Sequence, residues 1–437
     1  MDSPLSVKLA RRSFLTAGAA GAASAVALDA LSQVAPAPVL GAPDVATRAA
    51  LRALAEAGAV VLVDDMDAGA QAKVTVLCKV SAPLAEVRAV IAAPERYGDF
   101  MTVLRDVSVD SRRGSMVGFR FHAVASIFDI ETNASLRVVN ARRIDVSIVR
   151  SDLGPGAARW ELFEDPQGGT LVSCSSWGDP SRGHWLFRQI ASRGGAAVAM
   201  MTAAVSLLLS LSLVRRLRRS GAAIVPPNNV PLAPLPEHAR ALVGSSRGAI
   251  GAVTLAPNGA VVQASSCIGA AGTTADFERW ISDPSRYSQV WRSLRNLRVE
   301  SRSAEGVRFW SEIDASVARS SGSRLLTMQR DNGVATARWT GVSGDERGHE
   351  QRWDAAALAP GRIAVCATVR DEVSRVGFPL RSTLDREPAL RAGFAFGLSV
   401  VWARSLARRL DRDAAERTTT SPDAGVSPGA SGTAART

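Results

Sequence analysis

Ile91-Ala92-Ala93-Pro94-Glu95-Arg96-Tyr97 and Ile281-Ser282-Asp283-Pro284-Ser285-Arg286-Tyr287 are one local pattern written twice, and they hold both tyrosines of a 437-residue chain. The offset of 190 persists at Leu104/Leu294, Arg105/Arg295, Val109/Val299, Ser111/Ser301 and Arg112/Arg302. A period this long exceeds a solenoid unit and marks two copies of one domain. Leu84, Val87, Val90 and Ile91 share one helical face. Pro94 ends that helix and opens a second, shorter one, because proline suits a first turn and disfavours helix in the residue before it. Val107 and Val109 then alternate with polar residues in strand fashion. Phe277, Trp280, Ile281, Tyr287 and Trp291 repeat the arrangement in copy two.

Around the helix pair the chain reads as strands. Residues 60–64 and 73–80 precede it in copy one, with Val74, Val76, Cys78 and Val80 on one face. Strands at 116–124, 127–139, 144–150, 157–163 and 170–177 follow it, punctuated by Gly-, Pro- and Asp-rich turns. Copy two begins with strands near 249–255 and 260–268.

Two short helices followed by an antiparallel meander resemble the START-like superfamily, which includes the pollen-allergen fold, polyketide cyclases and coenzyme Q-binding START proteins. Pro94, Tyr97 and Phe100 match its Asp-Pro-x-x-Tyr-x-x-Phe segment. Asp283, Pro284 and Tyr287 match it in copy two, with Val290 at the Phe place. The resemblance implies an α+β fold of two tandem helix-grip domains, each a curved antiparallel sheet around a long C-terminal helix. Domain one is expected over residues 43–220, a Pro-rich linker over 221–247, domain two over 248–413 and a disordered tail over 414–437.

Residues 194–214 carry no charge and have the length of a membrane span. The repeat favours the closing helix of the fold instead. The equivalent segment in copy two, residues 392–402, is too short and too soon followed by Arg404, Arg408 and Arg409 to span a bilayer.

Ala10-Arg11-Arg12-Ser13-Phe14-Leu15-Thr16 resembles a twin-arginine motif, and an Ala/Gly-rich apolar stretch follows it. The resemblance implies export from the cytoplasm over a signal of residues 1–42, with cleavage near Ala42. The alternative is a retained membrane anchor.

The net charge is +11, yet the only lysines are Lys8, Lys73 and Lys79. The arginines are dispersed among acids rather than gathered in a stripe with stacking aromatics, so no nucleic-acid partner is expected. The densest group, Arg215, Arg216, Arg218 and Arg219, suits a peripheral contact with anionic lipid head groups.

No catalytic signature stands out. The four histidines, His122, His184, His238 and His349, lack metal-ligand spacing, and there is no phosphate-cradling loop and no nucleophile elbow. No metal and no cofactor are expected. His122, on a strand expected to face a cavity, is a general acid–base candidate or a structural histidine. Tyr97 and Tyr287 either present a hydroxyl to a ligand or pack between helix pair and sheet. Ala158-Arg159-Trp160 and Ala337-Arg338-Trp339 form a second echo, in which alternation puts Arg and Trp on opposite faces. Whichever points inward lines the space under the closing helix, so Arg159, Trp160, Arg338 and Trp339 join the cavity candidates.

In a START-like sheet the strand before the helix pair neighbours the last strand. The resemblance therefore implies the disulfides Cys78–Cys174 and Cys267–Cys366, against four buried free thiols. A bent sheet and one helix leave an apolar hollow between them. The expected function is to bind or carry a lipid, quinone or polyketide-like molecule outside the cytoplasm. An aromatase/cyclase-like enzyme is the runner-up. A ligand-free interaction module is the third reading, with copy two filled by Phe394, Phe396 and Trp402.

Overall fold

The computed structural model describes residues 40–64, 73–125, 128–192, 195–218, 231–244, 248–314, 319–370, 384–385 and 387–420, all within one compact unit, Pro38–Thr437. The twin-arginine-like stretch, Arg219, residues 221–230 of the linker and residues 421–437 of the tail lie outside the described residues.

Repeat one opens with helix α1 (Val45–Ala57), whose N-cap Asp44 accepts from the Thr47 amide. Strands β1 (Gly58–Asp64) and β2 (Lys73–Val80) follow, then α2 (Leu84–Ile91) and a 3-10 turn, Pro94–Asp99. The meander is β3 (Leu104–Arg113), β4 (Met116–Ala125), β5 (Phe128–Val138), β6 (Arg143–Ser151), β7 (Gly156–Glu164) and β8 (Thr170–Gly178). Helices α3 (Trp185–Ala191) and α4 (Gly195–Arg218) close it.

Repeat two runs in the same order. It comprises α5 (Glu237–Leu242), β9 (Ala249–Leu255), β10 (Val261–Ala271), α6 (Thr274–Ile281) and α7 (Tyr287–Val290). The meander is β11 (Leu294–Ser303), β12 (Gly306–Asp314), β13 (Arg319–Asp331), β14 (Val334–Gly341), β15 (Glu350–Ala359) and β16 (Arg362–Arg370), closed by α8 (Pro388–Thr420). Asp106 and Asn296 share a left-handed bulge at equivalent places in β3 and β11, a conformation that Asp and Asn tolerate best among side-chain-bearing residues.

This is an α+β fold of two helix-grip repeats in tandem. They are not joined by a linker alone. One antiparallel sheet of sixteen strands runs β11-β12-β13-β14-β15-β16-β10-β9-β1-β2-β8-β7-β6-β5-β4-β3, and β1 pairs with β9 at its centre. The closing helices lie side by side on the inner face. A Cβ on Gly393 of α8 would stand 2.9 Å from the Ala204 Cα of α4, so glycine permits the close approach. α4 is the one described helix long and apolar enough to cross a membrane, but it buries most of that surface against β2, β8 and α8.

The outer face carries a second apolar layer. Leu51 and Ala55 of α1, and Ala239 of α5 with its neighbours Leu235 and Val243, cover Val60, Leu77 and Ile250. Residues 231–243 of the expected linker therefore belong to repeat two. Gln263 fixes them through both the amide and the carbonyl of Ala233. The disordered tail expected from 414 also needs correction, because α8 continues to Thr420 and Arg417 reaches Asp276 at 3.0 Å.

Candidate functional site

The site is the space between each repeat's half of the sheet, on its inner face, and that repeat's closing helix, and the two repeats treat it differently. The repeat offset is 190 up to β5 and β13. Matching strand registers then place Trp339 opposite Leu326 as Val146 stands opposite Leu136, so the offset becomes 193 from there on. The true counterpart of Arg159-Trp160 is thus Arg352-Trp353, not Arg338-Trp339. The sequence carried that signal: Arg159-Trp160-Glu161 and Arg352-Trp353-Asp354 are 193 residues apart.

In repeat two the space is filled. Trp291, Trp339, Trp353 and Trp402 are all buried and contact one another, with centroid separations of 5.1 to 6.2 Å. Tyr287 stacks on Trp339 at 5.0 Å. Phe396 packs over Gly251, where a Cβ would meet its ring at 2.3 Å. Phe394 packs instead with Leu384, away from the main core.

A buried ion pair seals the adjoining end. Arg324 of β13 meets Glu346, on the turn Gly344–Glu346, at 2.8 Å, with side chains 1% and 0% exposed. Ser311 accepts from Arg324, and Ser320 donates to Glu346 at 2.6 Å. The sequence reading missed this pair, because nothing local distinguishes these two residues from the many surface arginines and acids.

Repeat one replaces the large and polar members with smaller or apolar ones. Met101 stands for Trp291, Val146 for Trp339, Ala134 for Arg324 and Phe121 for Ser311. Phe121, Val146, Ile148 and Ala158 remain partly exposed on its inner face, whereas Ser311, Trp339, Gly341 and Gln351 are buried at the matching positions. Rings at centroid distances of 5.9 to 6.0 Å run Phe121–Phe119–Tyr97–Phe100. They end at a cleft of about 410 Å³ between α2, the Pro94–Asp99 turn and the end of α4, floored by Ala89, Val90, Ala93, Phe100 and Leu217.

The remaining candidates fall into place by alternation. Trp160 faces inward and is buried, while Arg159 faces outward to Asp145 at 2.9 Å and to the Leu40 carbonyl. Arg338 likewise points outward, 3.6 Å from Glu350. His122 is on the outer face too, half exposed and 2.7 Å from Asp129, whose hydrogen bond raises its pKa. It does not line the hollow, because residues 117, 119 and 121 take the inward positions of β4. Both tyrosines have a structural role. Tyr97 donates to the Ile91 carbonyl and Tyr287 to the Ile281 carbonyl, each at 2.5 Å, satisfying an acceptor that a helix C-terminus leaves free. Burial pushes both phenol pKa values up.

The cysteines split by one residue of register. Cys267 and Cys366 are directly opposite on the outer face, with Cα atoms 4.0 Å apart, and are bonded. Cys78 pairs with Val172 and Cys174 with Val76, so these two thiols sit diagonally on the inner face and remain free. The expected Cys78–Cys174 bond is corrected accordingly. Position 267 matches Leu77, not Cys78, and side chains one residue apart take opposite faces.

Neither a protein-family model nor a curated protein matches the sequence. Among solved structures, the chain is similar to the di-domain ARO/CYC StfQ from the steffimycin biosynthetic pathway, at 13% identity over 78% of this chain and 99% of that one, TM-score 0.24. It is similar to the Zhui aromatase/cyclase from Streptomyces sp. R1128, at 17% identity over 35% of this chain and 98% of that one, TM-score 0.28. A START superfamily protein from Mycobacterium smegmatis is similar at 15% identity over 34% and 97%, TM-score 0.27. The fold assignment rests on this chain's own strand order and closing helices.

Proposed function

We propose that this protein binds a hydrophobic small molecule, of lipid, quinone or polyketide-like character, in repeat one, and that it does so outside the cytoplasm. The observation carrying the reading is the contrast at matched positions. Trp291, Trp339 and Arg324 fill or seal repeat two, while Met101, Val146 and Ala134 take their places in repeat one, where Phe121, Val146, Ile148 and Ala158 stay partly exposed. Apolar burial then supplies the affinity, at about 25 cal/mol per Å² before ordering costs. Repeat two acts as a solid partner that completes the sheet. Export is part of the proposal through the twin-arginine-like stretch, and exposed Arg215 and Arg216 at the end of α4 suit contact with anionic head groups. The cyclase reading gains nothing from His122 and Arg159, which both face away from the hollow.

Native mass spectrometry of the protein from its natural host, with extraction of bound lipid, tests the reading. A co-purifying hydrophobic mass is expected, and Val146→Trp, which installs the residue of repeat two, removes it. Apo protein from every preparation, or a mass retained by the variant, sinks the proposal.

A further inference from the structure

The clefts at the end of each closing helix suggest what the ligand's polar end looks like. In repeat two the cleft is about 570 Å³, and Trp280 forms its wall. The Trp280 indole donates to Asp413 at 2.6 Å, and Arg286 and Arg409 stand over its ring at 5.8 and 4.6 Å. Asp413 also takes Arg279 at 3.1 Å and Arg409 at 2.8 Å. The arginines of that cleft are thus tied to a latch between α6 and α8.

Repeat one has the same cleft without the latch. Val90 stands where Trp280 does, Ala89 where Arg279 does, and Ala93 where Asp283 does. Arg96 keeps the place of Arg286, but its carboxylate contact is an exposed one to Asp99 at 3.5 Å. Arg216 lines the same cleft from the last turn of α4. Two guanidinium groups therefore flank an apolar floor of Val90, Ala93, Phe100 and Leu217, with Glu86 the one acid among the lining residues.

Resting on the proposed function, we infer that the ligand of repeat one is a single-chain anionic amphiphile of the fatty-acid class. Its carboxylate sits between Arg96 and Arg216, and its chain lies along the floor of the cleft toward Phe100. A guanidinium offers a carboxylate two parallel donors, which no neutral head group exploits as well. A volume of about 410 Å³ lies at the small end of ligand pockets and suits one chain.

The test uses the full chain, with palmitate and hexadecanol as matched probes in a fluorescence-displacement titration. Arg96→Gln/Arg216→Gln is expected to weaken palmitate about tenfold, as two partly exposed charge pairs do together, and to leave hexadecanol unchanged. Val90→Trp, checked for an unchanged unfolding midpoint, is expected to weaken both probes. Palmitate affinity unmoved by the arginine pair overturns the head-group assignment while the hydrophobic site stands. Both probes binding the Val90→Trp variant as before, where that variant folds, moves the ligand out of the cleft and overturns the inference. Failure of both probes to bind the parent protein overturns the inference, and a hydrophobic mass of another class in the native preparation would show that the proposed function survives it.

Discussion

Val61 and Gly251 are the same position in the two repeats, 190 residues apart, and they pair with each other across β1 and β9. The pairing is reciprocal on either side. Ala59 meets Val253, the counterpart of Val63, and Val63 meets Ala249, the counterpart of Ala59. A local two-fold axis therefore passes through this pair, with the self-complementary geometry of an isologous dimer held within one chain. What breaks the symmetry at this pair is the packing above it, which makes one member glycine. The Phe396 ring lies over Gly251, and a Cβ there would stand 2.3 Å from it and 2.4 Å from the Ser265 carbonyl oxygen. Gly251→Ala should lower stability by about 1–3 kcal/mol in a urea titration, the range for overpacking a filled core. Adding Phe396→Leu should recover part of the loss, because contacting residues couple.

The tryptophan cluster sets a second expectation. Trp339→Val gives repeat two the residue of repeat one and removes a side chain that is fully buried among aromatics. A loss of about 3–5 kcal/mol is expected, as for a large-to-small change that leaves a cavity. The variant should also take up a hydrophobic dye that the parent's second repeat excludes. An unchanged denaturation midpoint would show that the cluster does not hold the repeat closed.

Arg324 and Glu346 make a third. Arg324→Met leaves the Glu346 carboxylate in a site with no exposed surface. Breaking one side of such a pair costs about 3–5 kcal/mol, whereas Arg324→Met/Glu346→Leu should be closer to the parent. Chemical denaturation of the three proteins reads the difference. A double variant as unstable as the single would deny that the stranded charge is the cause.

Thiol titration separates the two cysteine pairs. Cys78 and Cys174 are buried, and burial pushes the Cys78 pKa up to about 12 and the Cys174 pKa higher still. The folded protein should show no reactive thiol at neutral pH, two on unfolding without reductant, and four on unfolding with it. Four without reductant would exclude the Cys267–Cys366 bond.

Asp165 supplies a pH signature. It lies in the β7–β8 turn, where burial opposes its ionisation. The Gln167 amide, the two-point contact from Arg52 at 2.7 and 2.9 Å, and Lys79 at 3.5 Å outweigh that burial and hold its pKa below the usual carboxylate range. A depressed folded pKa gives stability that is present above the unfolded value, about 3.9, and lost as pH falls through the folded one. Asp165→Asn should cost about 1–3 kcal/mol at pH 7, with a difference that shrinks toward pH 3. An equal loss at both pH values would assign the effect to turn geometry rather than charge.

By itself the sequence determined the repeat, the strand–helix-pair–meander order and the closing helices. Those follow from local periodicity and from two copies that check each other, as at Tyr97 and Tyr287. Only the tertiary structure decided which face a residue takes and what it meets there. A one-residue register step put Cys78 inside and Cys267 outside, and the strand registers decided between two echoes present in the sequence, making Trp353 rather than Trp339 the counterpart of Trp160. The β1–β9 junction and the Arg324–Glu346 seal were equally hidden, because both join residues far apart in the chain whose local surroundings look ordinary. Long-range pairing chooses between faces of opposite chemistry, and local pattern cannot fix that choice where both faces of a strand are apolar.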